Sequence, residues 1–213
     1  MKNTLYRIWR IARIPLAIIV VLYVGLVIYR IPAAQERLKT EEAVKNIQSQ
    51  KLTLADVMGK NLPPEPDAAL NNSTVEGIDA NNNGIRDDVE LAIFKLHPDS
   101  ARIRAAELQY AMALQGELND TFNIETLTAA VWEESRGYFC IDSTFPRLPK
   151  NASNEELNQQ DNDFNSRITE VKNLVLNTSA RVQKREDIFN KYMSSHTSPS
   201  NDFCDIDFFK LPN

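Results

Sequence analysis

The longest continuous run of apolar residues lies near the start of the chain. Ile14–Tyr29 contains sixteen uncharged residues between Arg13 and Arg30. At 1.5 Å per residue this run covers ~24 Å, and snorkelling of the two flanking arginines lets neighbouring apolar residues complete the ~30 Å hydrocarbon core of a bilayer. The pattern predicts a transmembrane helix over residues 14–31, preceded by a basic segment over residues 1–13.

A basic start followed by an apolar segment is also typical of a cleaved signal peptide. Here Arg30, Ile31 and Pro32 crowd the small pair Ala33–Ala34, which disfavours a cleavage site and favours an uncleaved anchor. Basic residues precede the span, whereas those after it are interleaved with acids. The positive-inside rule then predicts a single-pass protein of the bacterial inner (plasma) membrane, with a cytoplasmic N-terminus and a periplasmic or extracellular C-terminal domain.

The residues that follow the span are polar and charged. Residues 32–66 predict a solvated helical stalk that ends in a proline-rich linker at Pro63–Pro66. Residues 67–213 are then expected to form the extracytoplasmic domain.

Helical spacing dominates this domain. Apolar residues three and four apart predict helices from Asp88 to Leu96, from Asp99 to about Leu118, and after a cap at Asn123. Strand-like alternation of useful length is missing from the sequence. The expected fold class is therefore all-α: a small helical bundle behind a transmembrane helix, a stalk and a linker.

The longest periodic segment opens with a capping box, Ser153 and Glu156. Its apolar residues fall on the two core positions of a heptad: Leu157, Phe164, Ile168, Val171, Val175, Thr178, Val182, Phe189 and Tyr192. The pattern predicts one long C-terminal helix of about forty residues, or two collinear helices. Asp161 and Arg185 interrupt the seam, which favours packing against the other helices over a dimeric coiled coil.

Charge separates the two ends of the chain. The first thirty residues hold five basic residues and no acid, so the remainder, with 19 basic and 29 acidic residues, has a net charge near −10. An acidic outer part disfavours binding to nucleic acid. Besides the lipid bilayer, the expected partner is another membrane or periplasmic protein.

The chain has two cysteines, Cys140 and Cys204, and both follow the span. On an oxidising side of the membrane they predict one disulfide, which would close a loop of about 65 residues and stabilise the domain by ~4 kcal/mol. Two buried free thiols are the alternative.

The stretch Asp79–Glu90 has the pattern D-x-[DN]-x-[DN]-G-x5-E without a gap. Such a twelve-residue loop supplies the six to eight oxygen ligands that Ca²⁺ requires. Gly84 permits the sharp turn and Glu90 offers a bidentate carboxylate. An ordinary turn, in which the Asn and Asp side chains bond their own backbone, is the alternative, but it has no need of Glu90.

This stretch resembles the loop of EF-hands. The resemblance implies bound Ca²⁺ and six ligands: Asp79, Asn81, Asn83, Ile85 through its backbone carbonyl, Asp87 directly or through water, and Glu90. The sequence departs from the family in two ways, since Arg86 stands where an aliphatic residue is usual and no second loop follows. The single loop with its exit helix is more similar to dockerin-like modules of secreted proteins. The expected function is a membrane-anchored, non-catalytic calcium-binding protein with a structural or partner-binding role.

One enzymatic alternative rests on Trp132–Arg136, which is similar to the Glu-Ser helix end of lysozyme-like lytic transglycosylases. In that reading Glu134 is the general acid of a peptidoglycan-active enzyme. The Gly-Leu-Met-Gln segment expected downstream is missing, so a solvated helix face is the preferred interpretation of Glu133 and Glu134. The chain also lacks the P-loop, dinucleotide-binding and nucleophile-elbow motifs.

Overall fold

The computed structural model describes residues 2–193, 199, 201 and 203–211, and regular structure within them is helical throughout. The α-helices are α1 Lys2–Ser49, α2 Leu54–Val57, α3 Ala68–Asn71, α4 Asp87–Leu96, α5 Ala101–Asp120, α6 Ile124–Asp142, α7 Asn154–Val175 and α8 Ser179–Tyr192, and a 3-10 helix covers Phe208–Lys210. The described residues contain no strand. The all-α prediction is therefore confirmed.

Helix α1 is continuous from Lys2 to Ser49 and contains Pro15 and Pro32. Its stretch Pro15–Ser49 is long and apolar enough to cross a membrane, and its most apolar part is not buried within the protein. The predicted boundary between span and stalk thus lies inside one helix. The chain divides into two compact units, Met1–Glu42 and Ala43–Asn213.

The second unit begins well before residue 67, where composition placed the start of the domain. Ile47, Leu52 and Val57 are buried in it, although the surrounding sequence is polar. Helix α2 begins at a capping box in which the side chains of Thr53 and Asp56 each bond the other's backbone N–H. These three apolar residues of the predicted stalk and linker are therefore buried, whereas others, such as Leu54 and Met58, are exposed.

Helix α5 lies at the centre of the second unit and is buried along most of its length. The predicted apolar stripe is fully inside: Ala101, Ala105, Leu108 and Met112. Helix α6 approaches α5 closely at Gly137, where an added Cβ would lie 2.7 Å from Cα of Tyr110. Glycine at this position therefore lets the two helices pack at short range.

The predicted helix ends agree closely with the structure. His97 ends α4, Asn123 caps α6 in a capping box with Thr126, and Ser153 caps α7 in a capping box with Glu156. Val89 and Ile93 form the buried face of α4, whereas Leu96, its last residue, is 43 % exposed.

The long periodic segment forms two helices rather than one. Helix α7 ends at Val175, and Thr178 caps α8 by accepting a hydrogen bond from the Arg181 N–H. Phe164, Ile168, Val171 and Val175 are buried as the heptad predicts. Leu157 and Val182 are instead 46 % and 39 % exposed, whereas the unpredicted Ile188 is buried. The heptad therefore describes the core only in the second half of α7, because the break shifts the buried face of α8.

The C-terminal segment is tied to the bundle. The sulfur atoms of Cys140 and Cys204 lie 2.11 Å apart, at bonding distance, which confirms the predicted disulfide. Gln109 donates to the Phe203 carbonyl at 2.6 Å and accepts from the Asp205 N–H at 2.8 Å. The covalent bond and the two hydrogen bonds fix the same short stretch of chain against α5 and α6.

Candidate functional site

The predicted loop Asp79–Glu90 leads directly into α4. Because α4 begins at Asp87, one residue earlier than predicted, Asp87 and Glu90 lie on its first turn. The nearest upstream helix is α3, a single turn that ends at Asn71. The loop is thus followed by an exit helix but is not preceded by a long incoming one.

The first half of the loop folds around the carboxylate of Asp79. Its Oδ2 accepts a hydrogen bond from the Gly84 N–H at 2.8 Å, and its Oδ1 accepts one from the Asn83 N–H at 3.2 Å. Asn83 Oδ1 accepts from the Ile85 N–H at 2.9 Å. These bonds turn the side-chain oxygens of Asp79 and Asn83 toward the interior of the loop.

Two residues of the turn have left-handed backbone conformations. Asn82 has φ 55° and Gly84 has φ 85°. Asn tolerates this region better than most residues, and glycine adopts it without a steric cost. Gly84 is also needed because a neighbouring side chain lies close to it. A Cβ at Gly84 would lie 1.7 Å from Nε2 of Gln50, the residue that follows α1.

The two acids on α4 are buried and only half satisfied. Asp87 and Glu90 are 1 % and 0 % exposed. Asp87 Oδ1 accepts from the Ala80 N–H at 2.9 Å, and Glu90 Oε2 accepts from Asn81 Nδ2 at 2.9 Å. The second oxygens, Asp87 Oδ2 and Glu90 Oε1, are buried without a hydrogen-bond partner. Native proteins rarely leave buried carboxylate oxygens unpaired, and a bound cation is one group that would satisfy such oxygens.

Negative charge accumulates around these oxygens. Burial raises the pKa of Glu90 to about 7, and the charges of Asp56 and Asp79 add to the rise. Burial likewise raises the pKa of Asp87. Among the described residues, no lysine, arginine or histidine forms an ion pair with Asp79, Asp87 or Glu90.

The donor set fits a hard cation that prefers oxygen. In the part of the chain that the structure describes, no three His, Cys, Asp or Glu side chains are grouped so that they could hold a metal ion by themselves. The three predicted acidic ligands, Asp79, Asp87 and Glu90, therefore do not form such a group alone, and a cation site here would also need the two amides and the main-chain carbonyl. The side chain of Ile85 is buried in the core, which leaves its carbonyl as the group it could offer. The residues that would hold Ca²⁺ are Asp79, Asn81, Asn83, Ile85, Asp87 and Glu90.

Arg86, the departure from the EF-hand pattern, anchors the loop to α7. Its guanidinium is fully buried and donates to the Val175 carbonyl at 3.0 Å and the Leu174 carbonyl at 2.8 Å, and it pairs with Asp88. Both carbonyls belong to the last turn of α7, where a helix has no N–H of its own to offer them. Arg86 thus joins the exit helix of the loop to the end of a helix nearly ninety residues away.

Arg181 on α8 organises the chain just before the loop. It is fully buried and donates to the carbonyls of Asn71 at 2.7 Å, Thr74 at 3.3 Å and Val75 at 2.9 Å. It also donates to the side chain of Asn72 at 2.9 Å. An irregular segment can be buried here because one guanidinium satisfies several of its carbonyls.

Sequence reasoning missed both arginines as structural residues. For Arg86 the sequence offered a signal, since a charged residue stood in a position that is usually aliphatic. For Arg181 there was none, because a single arginine on a polar helix is ordinarily solvated. Their partners are distant in sequence and become visible only in three dimensions.

Glu133 and Glu134 do not form the solvated helix face that the sequence suggested. Glu133 pairs with Lys51 at 2.8 Å and Arg136 at 2.6 Å. Glu134 lies 3.3 Å from Arg185 and 3.7 Å from Lys172, and it accepts a hydrogen bond from the Tyr110 hydroxyl at 3.3 Å. Glu133 is therefore paired within α6 and with the segment after α1, whereas Glu134 is paired with residues of α7 and α8.

Glu117 extends the second of these ion-pair groups into the core. Its side chain is fully buried and accepts from Arg185 Nε at 2.7 Å, while its other oxygen lacks a partner. Burial raises the pKa of Glu117 well above its ordinary value, and repulsion from Glu134 adds to the rise. Arg185, which interrupts the heptad, is thus the link between α8, α5 and α6.

Comparisons with known proteins do not add to this description, since no protein-family model, curated protein or solved structure matches the chain.

Proposed function

We propose that the chain is a single-pass membrane protein whose helical domain binds one Ca²⁺ outside the cytoplasm and has a non-catalytic, structural or partner-binding role. The observation that carries the proposal is the pair of buried, unpartnered oxygens at Asp87 and Glu90. They lie at the ninth and twelfth positions of a loop whose first residue, Asp79, already turns its carboxylate inward. A divalent cation would neutralise this charge and satisfy both oxygens.

The role proposed for the ion is structural rather than regulatory. Asp79, Asp87 and Glu90 are the charged ligands, whereas Asn81 and Asn83 are neutral. With this charge and no paired loop, we expect the Kd of extracellular calcium modules, ~10⁻⁴–10⁻³ M. Such a site stays substantially filled outside a cell, and a site that is usually filled does not signal by filling.

The proposed location follows from three features. Helix α1 is long and apolar enough to cross a membrane. The basic residues before that stretch favour a cytoplasmic N-terminus. The bonded cysteines, Cys140 and Cys204, suit an oxidising compartment.

A calcium titration of the full chain in detergent tests the proposal, with Glu90→Gln as the variant. Wild type should bind one Ca²⁺ by calorimetry and gain ~1.4 kcal/mol of stability at ten times the Kd. Glu90→Gln should lose this gain. In chelator the variant should melt no lower than wild type, because glutamine removes a buried, uncompensated charge.

Glu65→Gln is the matched control, since Glu65 is an exposed acid close to the loop in sequence. It should bind Ca²⁺ as wild type does. Submicromolar binding by wild type would indicate a sensor instead. A calcium-dependent melt that Glu90→Gln leaves unchanged would remove this loop as the site.

A further inference from the structure

The segment from Gln50 to Asn61 lies against the loop from outside its twelve residues. The side chain of Gln50 lies over Gly84, so closely that the position has no room for a Cβ. The carbonyl oxygen of Asn61 accepts a hydrogen bond from Asn81 Nδ2 at 2.8 Å. One contact covers the turn of the loop, and the other reaches a predicted ligand directly.

The contact from Asn61 determines which way the Asn81 amide faces. A main-chain carbonyl only accepts hydrogen bonds, so it must meet the NH₂ group of Asn81 and not its oxygen. The same NH₂ group donates to Glu90 Oε2 at 2.9 Å. With both N–H bonds used in this way, Asn81 Oδ1 turns back into the loop, 3.3 Å from the Asn83 N–H. The orientation that a calcium ligand needs is therefore set jointly by Glu90 and by a residue outside the loop, Asn61.

Asn61 is itself held by the acid of α2. Asp56 Oδ1 accepts from Asn61 Nδ2 at 3.1 Å, and Asp56 Oδ2 accepts from the Thr53 N–H at 2.9 Å and the Thr53 hydroxyl at 2.6 Å. A hydrogen-bonded chain thus runs from the capping box of α2 through Asn61 to Asn81 and Glu90. Outer groups of this kind orient ligands at metal sites and affect affinity.

We infer that Asn61 is a positioning residue of the calcium site, and that the segment 50–61, which follows directly from helix α1, docks on the loop as part of that site. The inference rests on the proposed function. Because coupling between two events is reciprocal, Ca²⁺ binding tightens this docking by the same factor as the docking tightens Ca²⁺ binding. The ion then fixes the start of the domain, where α1 ends, as well as the loop.

Two isosteric substitutions in the loop test the orienting contact, measured as Kd for Ca²⁺ on the full chain in detergent. Asn81→Asp and Asn83→Asp each add one negative charge to the ligand set. Asn83 Nδ2 has no partner, so Asn83→Asp should tighten binding. Asn81→Asp places a second oxygen against both acceptors of the Asn81 NH₂ group, the Asn61 carbonyl and Glu90 Oε2. Its Kd should be at least about fivefold higher than that of Asn83→Asp, the equivalent of one lost hydrogen bond.

A second arm tests Asn61 through Asp56. Asn61→Ala removes the hydrogen bond to Asp56 and should weaken Ca²⁺ binding about threefold to tenfold. This loss is at or below the lower end of the losses seen when residues that support metal ligands are changed. The double variant Asp56→Asn with Asn61→Asp exchanges donor and acceptor and should recover most of the loss. Asn158→Ala, an exposed asparagine on α7, is the control and should bind as wild type does.

Hydrogen exchange of wild type provides a readout that does not depend on any variant. Amides in residues 50–61 should exchange more slowly in Ca²⁺ than in chelator, together with those of the loop. Ca²⁺ binding without added protection there, or equal Kd values for Asn81→Asp and Asn83→Asp, would overturn the positioning role and leave the proposed function in place. Absence of Ca²⁺ binding by wild type would overturn both.

Discussion

Buried cations in this domain stabilise the main chain as much as they pair with acids. Arg86 and Arg181 are both fully buried, and most of their hydrogen bonds go to carbonyl oxygens at a helix end or in an irregular segment. A guanidinium suits this task because its five donors diverge in one plane. Arg185 is different, since it bonds the carboxylates of Glu117 and Glu134.

Glu117 gives the domain a predictable dependence on pH. Its folded-state pKa is raised above the ordinary value of 4.5, so the folded state holds this proton more tightly than the unfolded state does. The stabilising contribution is complete below about pH 4.5 and is lost as the pH rises through the folded-state pKa. Glu117→Gln should therefore flatten the dependence of melting temperature on pH above that value.

The control for this prediction is Glu170→Gln, which changes an exposed glutamate on α7. It should keep the wild-type dependence on pH. Melts should be followed by circular dichroism in chelator, so that protons and Ca²⁺ do not compete at the loop. A Glu117→Gln profile parallel to that of wild type would show that burial of this carboxyl does not govern the slope.

Among the helices, capping residues predicted where helices begin, but apolar spacing did not predict where the long periodic segment is interrupted. Asn123 and Ser153 were identified as caps because a cap depends on residues within one turn. Two helices were one of the two predicted alternatives for this segment, but the place of the break between α7 and α8 was not predicted, because apolar spacing continues across it. The last carbonyls of α7 are satisfied by two hydrogen bonds from Arg86, a residue that no window on α7 contains.

For the candidate site, too, the residues close together in sequence could be predicted, whereas those brought in from elsewhere could not. The sequence predicts six ligands because all of them belong to one short loop with fixed spacing, and that set remains a prediction. The nearby charge of Asp56 and the orienting carbonyl of Asn61 could not be predicted. They come from a stretch that composition assigned to a solvated linker, and only packing brings it to the loop.

Arg86 should be the residue on which the junction of the loop, α4 and α7 most depends. Arg86→Met keeps much of the side-chain length but leaves the Leu174 and Val175 carbonyls buried and unpaired, so we expect a loss of ~3–5 kcal/mol. Arg86→Lys should recover little, because one ammonium group does not reproduce the planar fork. Thermal melts of the full chain measure both.

Arg147→Met removes an exposed arginine in the loop between α6 and α7 and is the matched control. Its effect should stay within about 0.5 kcal/mol. If Arg86→Met melts close to this control, the carbonyls at the end of α7 have found other partners and Arg86 is not the anchor.

At the scale of the whole molecule, the first residues of the second unit and its C-terminal stretch are bonded to each other and to α6. Asp205 accepts from the Leu52 N–H at 3.2 Å and pairs with Arg136 at 2.9 Å, and Cys204 beside it is bonded to Cys140. The segment that leaves α1 therefore contacts the C-terminal stretch as well as the loop Asp79–Glu90. These bonds hold the segment after α1 and the C-terminal stretch in one position within the second unit.

The arrangement across the membrane is the last prediction, and it depends on charge. Lys2, Arg7, Arg10 and Arg13 precede the span without any acid, whereas the later basic residues are mixed with acids. The positive-inside rule keeps the first group in the cytoplasm, so a reporter that is active only outside the cytoplasm should work when fused after Asn213. The same reporter fused before Met1 should be inactive.

Replacing Lys2, Arg7 and Arg10 with glutamine should lower the activity of the fusion after Asn213, because the charge bias between the two ends of the span is reduced. Replacing Arg102, Arg147 and Lys150 in the domain should not lower it, because those residues lie far from the span in sequence. The prediction would be wrong if a reporter that is active only in the cytoplasm worked when fused after Asn213. The loop Asp79–Glu90 would then lie in the cytoplasm, where a weak calcium site stays empty.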